Sequence, residues 1–204
     1  MTTSIITGDI IKSRTQSDTE FWLTTLKQAL SYLSPNRANW DIYRGDSFQI
    51  ELKDVTYSFM SAIYIKACMK SIHGLDVRIA IGVGEKLYEG DNVSESSGNA
   101  FIYSGETLET LKKEKQNLRL KTNNSKLDKE LNLYFRLALI AMDRWTVNSA
   151  EIVKLSIENP NALQSELGKL VGINQNAVST RQKRAYLDEI LELDSLYRQK
   201  IAQL

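Results

Sequence analysis

The sequence predicts an α+β chain in two parts, interleaved strands and helices over residues 1–124 and an all-α part over residues 125–204. Three observations lead to this. Ser4-Ile5-Ile6, Trp40-Asp41-Ile42-Tyr43, Phe48-Gln49-Ile50-Glu51-Leu52 and Val77-Arg78-Ile79-Ala80-Ile81 are short apolar or alternating runs, as strands require. The segments between them repeat their apolar residues every three or four positions, as one face of a helix does. Beyond the polar triplet Thr122-Asn123-Asn124 only the helical period remains.

Each element has its own signals. The first helix opens at Ser17-Asp18-Thr19-Glu20, a capping-box pattern, carries Phe21, Leu23, Leu26, Leu30 and Leu33 on one face, and stops at Pro35. Trp40 to Tyr43 runs into a tight turn at Arg44-Gly45-Asp46 and returns as a second strand from Phe48. A second helix is expected over residues 54–73, buried through Phe59, Ile63, Ala67 and Met69. A small, polar stretch, Asp91 to Ser97, reads as a flexible loop over the presumed site. The third helix begins near Gly98 and fades in Lys112-Lys113-Glu114-Lys115, a solvated end. Leu118-Arg119-Leu120-Lys121 alternates like an edge strand.

In the second part Ser125 is the expected N-cap of a strongly apolar helix containing Leu131, Tyr134, Phe135, Leu137, Leu139 and Ile140, ending at Asp143-Arg144. Trp145 and Thr146 start the next, with Ile152, Val153 and Leu155 inward and Asn159-Pro160 as its stop. Residues 162–184 read as a helix-turn-helix. Leu163, Leu167 and Leu170 share a face, Gly172 permits the bend, and Ile173 and Val178 pin a second helix to the first. The polar side chains Gln175, Asn176, Ser179, Thr180 and Arg181 would then face a major groove, with Lys183 and Arg184 near the phosphates. A small helical packing unit uses the same turn and is the alternative. After Arg184, Leu187, Ile190, Leu193, Tyr197, Ile201 and Leu204 form an apolar stripe that either folds back on the chain or pairs with a second copy in a homodimer.

Composition narrows the function classes. With 42% hydrophobic and 25% charged residues the chain buries a core and is not a disordered one. A net charge of +1 excludes a globally basic nucleic-acid binder, so contact with double-stranded DNA must come from a local patch. The single cysteine, Cys68, excludes an internal disulfide and a cysteine zinc cluster and fits a cytoplasmic protein. It lies on a helical apolar pattern, as a structural thiol does. The single histidine, His73, falls at a helix end beside Gly74, where it suits the terminal carbonyls better than general-base work. No signal peptide and no apolar run of the ~18 residues a membrane span needs is visible.

The candidate chemistry sits in Thr7-Gly8-Asp9-Ile10 and Tyr43-Arg44-Gly45-Asp46-Ser47-Phe48. Each places an aspartate beside a glycine at a strand boundary, and together they can bring two carboxylates onto a hard divalent cation; ordinary turn aspartates are the plainer explanation. The order of strand with Asp9, helix, hairpin with Gly45-Asp46, helix, and strand Val77 to Gly84, followed by Ser97-Gly98-Asn99-Ala100-Phe101, resembles the ferredoxin-like palm domain of class III nucleotide cyclases, a core shared by GGDEF domains and palm polymerases. That likeness covers roughly residues 1–122. Over nearly its whole length the chain resembles the SatD-like family, which joins such a domain to a C-terminal helix-turn-helix.

The resemblance implies Mg²⁺ or Mn²⁺ held by Asp9, Asp46 and the backbone carbonyl of Ile10. A nucleotide would be met by Lys12, Ser13 and Arg14 after the first carboxylate and by Arg44 and Gly45 at the hairpin tip. Departures matter too. Aligned through Gly98, the positions of the cyclases' substrate-orienting Asn and transition-state Arg fall on Ile102 and Glu106, which cannot stabilise a phosphoryl transition state. Arg44 and Ser47 also break the full Gly-Gly-Asp-Glu-Phe. The reading is therefore a DNA-binding regulator whose palm-like domain senses nucleotide and metal. The alternatives are a nucleotidyltransferase or cyclase making a cyclic or oligomeric nucleotide, and a degenerate palm serving as a dimerisation scaffold.

Overall fold

The computed structural model describes residues 2–16 and 18–204. Its sheet is built on β1 (Thr2–Ile11), which pairs antiparallel with β3 (Ser47–Leu52) on one side and β4 (Asp76–Tyr88) on the other. β2 (Trp40–Tyr43) closes the hairpin against β3. The far edge of β4 is shared by β6 (Leu118–Lys121), parallel to its first half, and the two-residue β5 (Ser97–Gly98). The result is a mixed α and β fold with a mainly antiparallel sheet in the order β2-β3-β1-β4.

Period-two alternation gives β1 two unlike faces. Ile6 and Ile10 enter the main core with Phe48, Ile50, Val77, Ile79 and Ile81. Ile5 and Thr7 face the other way, toward α3 (Asn99–Glu114), where Ile5 packs on Ala100 and Thr7 donates to Ser104 Oγ at 2.9 Å. Gly82 allows that helix to lie directly on β4, since a Cβ there would stand 2.2 Å from the Ala100 carbonyl.

On the main face lie α1 (Thr19–Leu33) and α2 (Ser58–Lys70). Asp18 caps α1 by accepting from the Phe21 amide, while Ser17 lies outside the described residues. The inward face of α1 is Trp22, Leu26, Ala29 and Leu30; Phe21, expected inside, is exposed. A short 3-10 turn capped by Asp54 precedes α2, so the helix is shorter than its pattern suggests. Every residue from Phe59 to Met69 except Met60 is buried. Burial pushes the Cys68 thiol up to about 12, as befits a structural cysteine.

The helical half supplies the other side of α2. It comprises α4 (Ser125–Met142), α5 (Val147–Glu158), α6 (Gln164–Leu170), α7 (Gln175–Ala185) and α8 (Leu187–Ile201). Asn124, not Ser125, caps α4. Phe59 of α2 stacks on Phe135 of α4 at 4.5 Å, and Tyr197 of α8 tilts against both. The apolar core therefore runs unbroken past residue 124, which marks a change of secondary structure rather than a gap in packing. Most of the C-terminal stripe folds back, with Leu187, Ile190, Tyr197 and Ile201 buried in the chain's own core and Leu193 half-buried, whereas Leu204 is exposed. Among the described residues no helix is long and apolar enough to cross a membrane.

One buried cation ties the halves. Lys66 of α2, 2% exposed, meets Asp76 of β4 at 2.6 Å and Asp143 beyond α4 at 2.7 Å. Removing Lys66 leaves the Asp143 carboxylate without its cation, while Asp76 keeps Lys70 at 3.2 Å. Lys66→Met is expected to lower unfolding free energy by about 3 kcal/mol, the low end for a broken buried pair because Asp76 keeps Lys70 and Asp143 keeps contact with water. Urea unfolding reads this, and an unchanged midpoint would show that the cluster contributes nothing.

Candidate functional site

Asp9 is the penultimate outward-facing position of β1, opposite Ser47 of β3 and Arg78 of β4 in register. Gly8 before it has no Cβ because the Phe48 ring lies across it. The register delivers Arg78 onto Asp9, and its Nη1 donates to both carboxylate oxygens at 2.9 and 3.2 Å. Burial pushes the Asp9 carboxyl above its ordinary value; the charges of Arg78 and Lys112 act against the rise, and that of Asp46 adds to it.

That last effect puts Asp46 within electrostatic reach of Asp9, at the turn between β2 and β3. The turn has Arg44 at φ 54 and Gly45 at φ 88, and it is stitched to β1 by the Ile10 amide donating to the Asp46 carbonyl at 2.9 Å. The Ser13 hydroxyl donates to the Asp46 carboxylate at 2.8 Å. Ser13 is buried, so this hydroxyl is spent on the protein. Lys12 (φ 66), Arg14, Arg44 and Gly45 remain exposed around it. The Ile10 side chain belongs to the core, so only its backbone can serve a ligand.

The backbone bond from Ile10 brings the Asp46 turn against the end of β1, and a divalent cation at Asp9 would meet a guanidinium already in place. Both oxygens of Asp9 accept from Arg78, so a hard cation bound there would have to share the carboxylate with, or displace, that guanidinium. Among the described residues no group of three or more His, Cys, Asp or Glu side chains gathers as a metal centre. Ile102 and Glu106 are exposed on α3. The loop between β4 and α3 is anchored rather than loose: Asn92 caps a 3-10 turn, Val93 is buried, and Ser94 donates to Asp41 at 2.7 Å.

The second candidate is the surface of α7. Gly172 (φ 68) turns the chain after α6, and the Ile173 amide donates to the Gly168 carbonyl at 2.9 Å. Gly168 is small because a Cβ would meet the Ile173 carbonyl at 2.5 Å. Val178, fully buried, packs with Ile152 of α5 and Leu167 of α6. Leu163 and Leu170, expected beside Leu167, are 67% and 60% exposed. Gln175, Asn176, Thr180, Lys183 and Arg184 line the exposed face of α7, with Ser179 half-buried. Arg181 departs from the expected set, because it pairs with Glu151 of α5 at 2.9 Å. Gln182 knots the three helices by donating to Ser156 and accepting from Gln164.

Arg78 and Gln182 are the residues whose roles escape sequence reading. A cation between Val77 and Ile79 is a signal that it needs an anion, but its partner is set by register. Nothing local marks Gln182.

The Asp9 carboxyl carries a pH signature. Its folded pKa lies above the unfolded one, so it favours the folded state fully below about pH 3.8, and that contribution is lost as pH rises through the folded value. A ¹³C titration of the Asp9 carboxyl should show a midpoint above 3.8. A lower midpoint would mean that Arg78 outweighs burial.

No family model and no curated protein matches this chain.

Proposed function

We propose that the protein is a DNA-binding regulator whose sheet-containing half senses a phosphate-bearing ligand, a nucleotide, at the Asp9–Asp46 corner. The observation that carries the reading is the split character of α7: Val178 is fully buried against α5 and α6, while Gln175, Asn176, Thr180, Lys183 and Arg184 stay exposed. A helix pinned on one face by Val178 and Ala185 and polar on the other can lie in a major groove. Asn and Gln suit adenine edges there, and Lys183 and Arg184 suit phosphates. Arg181 serves differently, steadying α7 on α5 through Glu151.

The palm-like reading of the first half is supported by its connectivity, β1-α1-β2-β3-α2-β4 with β1 between β3 and β4, a split β-α-β pattern. The same combination is what a SatD-like chain would have. Arg78 holds Asp9 and the charge of Lys112 acts on it, while Lys12, Arg14 and Arg44 stand exposed on the adjoining turns, and this excess of cations favours a phosphate ligand. Mg²⁺ or Mn²⁺ enters only in competition with Arg78. A nucleotidyltransferase or cyclase is the second reading, favoured by the backbone bond that sets the Asp46 turn against the end of β1 beside Asp9. Against it stand Arg78 on Asp9 and the exposed Ile102 and Glu106, which offer no transition-state amide or cation.

In anisotropy titrations at several salt concentrations, Arg184→Ala should weaken binding to every duplex and flatten the salt slope by roughly one phosphate. Asn176→Ala should instead relax discrimination between sequences, by about 1–3 kcal/mol for a bidentate base contact. Wild type binding no better than a variant with Lys183 and Arg184 neutralised would defeat the reading.

Competition at Asp9 is separately testable by calorimetry. Arg78→Met should raise Mg²⁺ affinity by about tenfold, the worth of one charge-assisted hydrogen bond of about 1.5 kcal/mol. Asp46→Asn should abolish the gain. Equal affinity in wild type and Arg78→Met means that no cation binds at Asp9.

A further inference from the structure

We infer that a second copy of this chain docks on the outer face of α4, forming a two-fold dimer through the groove between α4 and α8. Helix α4 has two apolar faces. Leu131, Phe135 and Met142 are fully buried in the core, whereas Leu133, Leu137 and Ile140 are 46%, 57% and 59% exposed. The spacing of these three, i, i+4 and i+7, makes a continuous ridge. Beside it runs a groove of about 850 Å³. Ala138 and Ala141 of α4 and Leu193 and Leu196 of α8 line it. An exposed ridge of large aliphatic side chains bordering an apolar groove marks an interaction surface rather than ordinary surface scatter.

A second copy is favoured by complementarity of shape and charge. An isologous interface must be complementary to itself, and this surface offers a knob and a hole side by side. The ridge of one copy can enter the groove of the other while its own groove receives the partner's ridge. The small side chains of Ala138 and Ala141 let the two α4 backbones approach closely. Arg144, Arg184, Glu189 and Glu192 border the groove. Among the described residues none of these four makes an ion pair within the chain. Both signs stand unpaired on one rim, as cross-pairing between two identical surfaces requires. The same carboxylates count against an anionic lipid surface, which selects Lys and Arg around an apolar face. The inference rests on packing and charge, and it shares Arg184 with the DNA reading, so its test leaves that residue unchanged.

Sedimentation equilibrium of the full chain without DNA tests it, with Leu137→Glu and Ile140→Glu as variants. Both side chains are more than half exposed, so each variant should keep the wild-type circular dichroism and thermal midpoint. The expected result is a wild-type dimer and a dissociation constant raised about 100-fold or more in either variant, as for a central interface residue replaced in both copies. Glu→Ala at Glu189 or Glu192 should weaken the dimer less and make it less salt-dependent. A monomeric wild type at the highest soluble concentration overturns the inference. So does a dimer that persists in both folded ridge variants, which would place the interface elsewhere. Neither outcome bears on whether a single copy binds DNA, because the titrations above read that independently.

Discussion

Enclosure of α2 on all sides is the constraint on which the rest of the structure depends. A helix of thirteen residues with almost no exposed face cannot stand on a sheet alone, because one side would remain in water. The sheet and α1 cover part of it, and α4, α5 and α8 must cover the remainder. The stacked Phe59 and Phe135 and the tilted Tyr197 show where the two parts meet. Lys66 adds a directional element to this apolar contact. A charge at that depth is tolerable only with hydrogen-bonded anions, and one anion comes from each part of the chain. Dispersion holds α4 against α2, and the ion cluster fixes where.

The same enclosure explains why the two candidate sites differ in character. The Asp9 corner lies where β1 leaves the sheet, and its geometry is dictated by strand register. Antiparallel pairing with β4 brings Arg78 opposite Asp9 and leaves no choice of partner. Pairing with β3 carries the hairpin turn to the Ile10 amide and so brings Asp46 close. The site is a product of backbone hydrogen bonds, and its balance of burial against neighbouring cations follows from them. The surface of α7 is organised by side chains instead. Val178 sets its rotation, and Arg181 and Gln182 hold it on α5. What stays outside is therefore a consequence of what is held inside.

Much of the element order was legible because helix and strand periods are local properties of the chain. The strands at β1, β2, β3, β4 and β6, the stop at Pro35 and Pro160, and the turn at Gly172 all followed from neighbouring residues. Capping positions shifted by one, as at Asn124, because adjacent Asn and Ser compete for the same amides. Errors collected where a helix has more than one apolar face. Phe21 and Trp22 are equally apolar, and which one turns inward depends on how α1 rolls on the sheet. Leu163, Leu167 and Leu170 share a face by spacing, yet α6 is too short and too close to the surface to bury more than Leu167.

By itself the sequence determined the α+β class, the change to an all-helical composition near residue 124, the apolar character of α2 and α4, and the two aspartates worth attention. Those are set by composition, period and turn chemistry within a few residues. Tertiary structure alone decided that Arg78 rather than open solvent faces Asp9, that Arg181 turns to Glu151, that most of the C-terminal stripe is buried in its own chain, and that Leu133, Leu137 and Ile140 are left outside. Each of these depends on strand register or helix rotation, which pair residues tens of positions apart, and no local pattern encodes which distant partner a side chain will meet.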